Sequence, residues 1–178
     1  MRISDLAEVT EIPIATLKDL RHRAILELAT GGWPDDRKEI RRWAKFSVPA
    51  VMYLLGAKQV RDEYGLTWQD AITFARTALE KIQISIEGEG FARAADLRRV
   101  EREIWAGRLD FESANPTLPT GWNYFCGDIA ELHLQMERIK HLNAKPARGC
   151  LMINATLLCC LFWERAKLHV ALRHLENR

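Results

Sequence analysis

Apolar residues recur at three- and four-residue spacing through most of the first eighty positions, and the breaks in that rhythm mark the elements. Ser4 is placed to cap a short helix whose apolar positions are Leu6, Ala7 and Val9. Thr10-Glu11-Ile12 interrupts the pattern. Pro13 then stands where the first turn of a second helix tolerates a missing N–H. That helix is expected to bury Ile12, Thr16 or Leu17, and Leu20. Residues 25–28 are β-compatible and run into the turn signal Gly31-Gly32-Trp33-Pro34, after which residues 42–48 alternate as a half-buried return strand should. A third helix is predicted to open at Pro49, after Ser47 or Val48, to bury Val51, Leu54, Leu55 and Val60, and to stop at Gly65. A fourth begins at Thr67-Trp68-Gln69-Asp70, which resembles a capping box, and runs to about residue 81.

The second half has a weaker rhythm. Residues 82–90 read as a hinge or short strand, which divides the chain into regions 1–81 and 82–178. Residues 91–105 are expected to be helical, with Leu97, Val100 and Ile104 on one face, and 107–119 to be a loop by composition. Ile129, Leu132, Met136 and Ile139 predict a helix over 128–142, capped by Asp128. Residues 149–153 suit a strand or the start of the final helix. Leu157, Leu161, Arg165, Leu168 and Leu172 continue helically to about residue 175. The expected fold class is mainly α: an N-terminal domain with a small β-ribbon, followed by a mostly helical C-terminal region.

Composition narrows the classes of function. With 178 residues, 48% hydrophobic and 28% charged, the chain has enough apolar surface to offset chain entropy. No run of 18 apolar residues occurs, and the most apolar stretch, 150–163, carries Asn154 and Thr156, so no membrane partner is expected. The N-terminal residues lack a signal-peptide pattern, and the expectation is a cytoplasmic protein with reduced cysteines at 126, 150, 159 and 160. Net charge is only +2, but its distribution is uneven: from position 18 to 61 there are ten basic residues against five acidic ones.

That local excess coincides with the opening constellation of helix, tight break, helix and glycine-containing ribbon. In a helix-turn-helix the second helix enters the major groove with its solvent face. Leu6, Ala7, Ile12, Leu17 and Leu20 fit the crossing, and Ile14, Ala15, Lys18, Arg21 and His22 fall on the outer side. The stretch Ile3-Ser4-Asp5-Leu6-Ala7-Glu8-Val9-Thr10-Glu11-Ile12-Pro13-Ile14-Ala15-Thr16-Leu17-Lys18 resembles the start of MerR-type winged helix-turn-helix regulators. The resemblance continues through Ile25-Leu26, the Gly31-Gly32 wing turn, Arg42-Trp43 and the Gly65-Leu66-Thr67 step, covering about residues 3–75. Two departures stand out: Lys18-Asp19-Leu20-Arg21 replaces the family's Arg followed by two aromatics, and Glu11 stands where Gly is common.

The resemblance implies a sequence-specific double-stranded DNA-binding transcriptional regulator. Thr16, Lys18, Arg21 and His22 would face bases or nearby phosphates, and Arg37, Lys38, Arg41, Arg42 and Lys45 would grip the backbone from the wing. It also implies a homodimer formed through the C-terminal helix, contact with RNA polymerase, and a small-molecule effector. The last segment is apolar over more than one face and must be covered, inside the monomer or by a second chain; Leu161 and Leu168 are the expected interface residues.

Other constellations weigh less. His133, His141 and the four cysteines show no Cys-x-x-Cys or His-x-x-x-His spacing, so no metal or other cofactor is expected. Phe111, Trp122, Tyr124 and Phe125 read as a satellite core rather than an effector pocket. Asp128, Glu131 and His133 do not form an acid/base pair, and Asp110 and Glu112 have no evident partner in their loop; an enzyme is not expected. Two rival readings remain: an excisionase-like DNA-architectural accessory, and a protein-interaction adaptor built on a helix-turn-helix that no longer binds DNA.

Overall fold

The computed structural model describes residues 3–30, 46, 48–85, 103–111, 121–143 and 147–168. In chain order the elements are α1 (Ile3–Thr10), α2 (Ile14–His22), α3 (Leu26–Thr30), α4 (Val48–Tyr64), α5 (Trp68–Ser85), β1 (Trp105–Phe111), β2 (Gly121–Gly127), α6 (Ile129–Asn143), β3 (Ala147–Asn154) and α7 (Ala155–Leu168). The protein is mainly helical, with one small three-stranded antiparallel sheet. It divides into two compact units, Met1–Arg76 with Leu158–Arg178, and Thr77–Leu157. Compared with the expected regions 1–81 and 82–178, this division groups α7 from Leu158 onward with the first unit.

In the first unit, α1 packs on α2 and α4, and α3 packs on α2 and α4. Helix α4 is buried continuously from Ala50 to Ala57, which is what a helix apolar around its circumference requires. The expected Val51, Leu54, Leu55 and Val60 are buried, as are Met52 and Tyr53. Gly65 ends α4 as expected, at φ +70 with its N–H on the Arg61 carbonyl at 2.9 Å. Thr67 caps α5: its Oγ1 accepts from the Asp70 N–H at 3.2 Å and donates to the Asp70 carboxylate at 2.7 Å. The Arg61 guanidinium lies 5.0 Å from the centroid of the Trp68 ring, across the α4–α5 connection.

Expectations for α1 to α5 change at several points. Ser4 lies within the first turn of α1 rather than before it, donating to Asp5. Helix α5 continues four residues past 81, to Ser85. Residues 26–30 form α3 instead of a strand, because a helical turn places Leu26 and Ala29 side by side in the core where a strand would put them on opposite faces. The wing turn at 31–34 and most of the return strand lie outside the described residues. Phe46 is buried outside any strand, and Val48 already begins α4.

In the second unit β1 is the central strand, antiparallel to both neighbours in the order β2-β1-β3. Helix α6 covers one face, where Leu109, Phe125, Leu132 and Ile139 form a core with Trp105, Cys150 and Met152 packed against it. Asp128 and Glu131 form a reciprocal capping box for α6: the Glu131 N–H donates to Asp128 Oδ1 at 2.9 Å and the Asp128 N–H to Glu131 Oε2 at 3.0 Å. Asn154 ends β3 and caps α7 by accepting the Leu157 N–H at 2.9 Å. Residues 149–153 therefore take the strand alternative. Residues 107–111, expected in a loop, belong to β1, and Trp105, expected to end a helix, begins that strand; residues 91–102 and 112–120 lie outside the described residues.

Glycine hides both strands from a reading of composition: Gly107 lies inside β1, and Gly121 and Gly127 end β2. Gly107 has the Phe125 ring and the Leu151 carbonyl against it, so an added Cβ would strike both. The ring opposite fills the space that a side chain would otherwise occupy, and a residue that reads as a loop signal sits in the middle of a strand.

Candidate nucleic-acid interface

The turn between α1 and α2 is built by its own hydrogen bonds. Thr10, fully buried, donates from Oγ1 to the Leu6 carbonyl at 2.7 Å and accepts the Ile12 N–H at 3.3 Å. Glu11 adopts φ 55, the left-handed region that glycine enters without strain. Pro13 then precedes α2, with its carbonyl accepting the Leu17 N–H at 3.0 Å and no side-chain cap on the helix. At the other end Ala24 has φ 58, its N–H reaching the Arg21 carbonyl and the Ile25 N–H the Leu20 carbonyl at 2.9 Å. These two bonds close a Schellman motif with alanine at the position usually given to glycine. Helix α2 thus lies between two non-glycine residues held in the left-handed conformation.

This frame sets which side of α2 faces inward. Leu17 and Leu20 are buried together with Leu6, Val9 and Ile12. Ile14, Ala15, Lys18, Asp19, Arg21 and His22 are exposed and, at about 100° per residue, share one side of the helix. Lys18, Arg21 and His22 therefore stand together outward, as the sequence reading expected. Thr16 does not join them: it is half-buried and lies on the flank toward Leu20, about 160° around the axis from Lys18. Arg23, counted in the basic excess but not among the expected contacts, extends the basic end of α2 and pairs with Asp19 at 3.0 Å. That pairing neutralises the single acid on this side at the cost of one cation. Arg21 and His22 sit in the last turn, where the helix dipole favours positive charge.

Arg37, Lys38, Arg41, Arg42 and Lys45 lie outside the described residues. Of the expected dimer residues, Leu161 is half-buried on α7 and Leu168 is its last residue, with its side chain outside the described set; Leu157 on the same helix is exposed.

Arg165 of α7 reaches the same turn. Its Nη1 donates to the Val9 carbonyl at 2.9 Å, and its Nη2 lies 2.9 Å from the Glu11 carboxylate. The sequence signal was a lone cation inside the apolar repeat Leu157, Leu161, Arg165, Leu168. Arg76 acts similarly on α3, donating to the Leu28 carbonyl at 3.1 Å.

In the second unit, strand alternation separates the aromatic group. Phe125 is buried under α6, while Trp122, 63% exposed, and Tyr124 lie on the opposite face of the sheet. Asp110, expected to lack a partner, pairs with Arg108 at 2.9 Å, and the Arg108 guanidinium lies 5.9 Å from the Trp122 ring centroid. The Asp128 and Glu131 carboxylates are committed to the α6 cap. All four cysteines are free, and among the described residues no group of three or more His, Cys, Asp or Glu is placed to hold a metal ion. Burial, with the Asp110 charge adding to it, pushes the Cys150 thiol up to about 11. No helix among the described residues is long and apolar enough to cross a membrane.

No family model matches the chain, and no curated protein matches it.

Proposed function

We propose that the chain is a double-stranded DNA-binding transcriptional regulator, similar to the MerR type, that acts as a homodimer on an operator. The observation that carries the reading is the outward cationic side of α2: Lys18, Arg21 and His22 exposed together on the second helix of a tightly turned pair whose opposite side is sealed into the core. Ile14 and Ala15 at the start of the same side suit apolar contact with thymine methyl groups, and the cations suit phosphates and guanine edges. The basic residues 37, 38, 41, 42 and 45 add to the same function as backbone contacts from the connection between α3 and α4. Half-buried Leu161 on α7, with Leu168, is the apolar surface proposed for the second copy. RNA polymerase contact and a small-molecule effector belong to this reading as further expectations.

The test is fluorescence anisotropy with the full chain and random duplex across a salt series. The expected result is binding that weakens steeply with salt, and a slope of log affinity against log salt that drops by about one unit in Lys18→Ala. Unchanged affinity in Lys18→Ala and Arg21→Ala, with the fold retained, refutes it.

A second reading has its own observation. Ile14 is 43% exposed at the head of α2, and Asp19 cancels Arg23, which suits an adaptor that docks another protein on this helix. An absence of duplex binding at low salt favours that alternative.

A further inference from the structure

Helix α2 has no side-chain cap, and it is preceded by Glu11 in a backbone conformation that costs an L-residue about 1 kcal/mol or more. One side chain from the far end of the chain holds that turn at two points. Arg165, 23% exposed, donates from one guanidinium nitrogen to the carbonyl of Val9, in the last turn of α1, and presents the other to the Glu11 carboxylate. The two acceptors are two residues apart, on either side of Thr10, whose own hydroxyl ties Leu6 to Ile12. A planar guanidinium holds its two N–H groups in a fixed fork toward two such acceptors, whereas an ammonium's donors all radiate from one atom on a flexible stem.

We propose that Arg165 is a positioning residue for α2: by clamping Val9 and Glu11 it holds the left-handed turn and so sets the direction in which Lys18, Arg21 and His22 are offered. The proposal rests on the DNA reading for its functional consequence, but its structural half does not. Arg165 is itself spent on the turn, so it acts on a duplex only through α2 and contributes no phosphate contact. Loss of the clamp loosens the turn, and each bound complex must then order it again.

The test uses the full chain and two readouts. In Arg165→Gln, amide exchange at Ile12 and Leu17 is expected to accelerate while that of Val51 to Leu55 in α4 stays as in the wild type. Arg165→Lys is expected to recover only part of the protection. Glu11→Gly relieves the backbone, so adding Arg165→Gln to it is expected to change exchange at the turn by less than Arg165→Gln does alone. Duplex affinity in Arg165→Gln is expected to fall about tenfold at fixed salt with the salt slope unchanged, in contrast to Lys18→Ala, whose slope drops by about one unit. Unaltered exchange at Ile12 and Leu17 overturns the proposal, and so does a salt slope that falls with Arg165. A wild-type protein that binds no duplex overturns the DNA reading instead, and the exchange measurements then decide the clamp by themselves. If Arg165→Gln fails to fold, Arg165→Lys and the Glu11→Gly background carry both measurements.

Discussion

The two compact units hold their parts by different means. In the first, helices are fixed by their ends and by contacts to their backbone: a threonine knot at Thr10, left-handed residues at Glu11 and Ala24, a threonine cap at Thr67, and arginines of α5 and α7 reaching backbone carbonyls. In the second, a ladder of backbone bonds fixes β1 between its neighbours, and side-chain size at a few positions decides whether α6 can close over the sheet. The first arrangement is adjustable, because each end-contact contributes about 1 kcal/mol and acts on one helix. The second is intolerant, because a single added carbon meets backbone.

The sharpest way to break this contrast is at the sheet. Gly107→Val drives carbon into the Leu151 carbonyl and the Phe125 ring, with an expected loss of about 3 kcal/mol or more in a urea titration. Wild-type stability there would show that the sheet is as adaptable as the helices. Leu6→Ala empties the fully buried centre of the α1–α2 crossing, at an expected cost of about 3 kcal/mol. A cost below 1 kcal/mol would place that crossing outside the core. Thr67→Ala removes the α5 cap and is expected to cost about 1 kcal/mol by thermal unfolding. The smallest effect runs the other way: Ala24→Gly frees a strained φ at an exposed position, with an expected gain of about 0.5 kcal/mol.

Cys150 separates the units by pH. Its thiol is neutral when protonated, and the folded state raises its pKa from the usual 9.0 to about 11. The stabilisation is therefore complete below pH 9 and is lost as pH rises through 11. Stability followed by urea titration is expected to fall over that window in the wild type and to fall less in Cys150→Ala; identical alkaline profiles would remove Cys150 as the cause.

The parts of the molecule legible in the primary structure are those where neighbours in the chain are also neighbours in space. Helices α1, α2 and α4 to α7 follow from apolar spacing, and their ends from Pro13, Gly65, Thr67 and Asp128, because caps and turns use residues within four positions of each other. The outward placement of Lys18, Arg21 and His22 follows from the same periodicity. Tertiary structure decided the rest. Strands β1 and β2 depend on Gly107 being sheltered by Phe125, eighteen residues on, and α3 depends on Leu26 and Ala29 finding the core. Arg165 meets Val9 and Glu11 across more than 150 positions, a pairing that no local pattern encodes. Local hydrogen bonding and periodicity are written in short windows; side-chain contacts between distant segments exist only once the chain has closed upon itself.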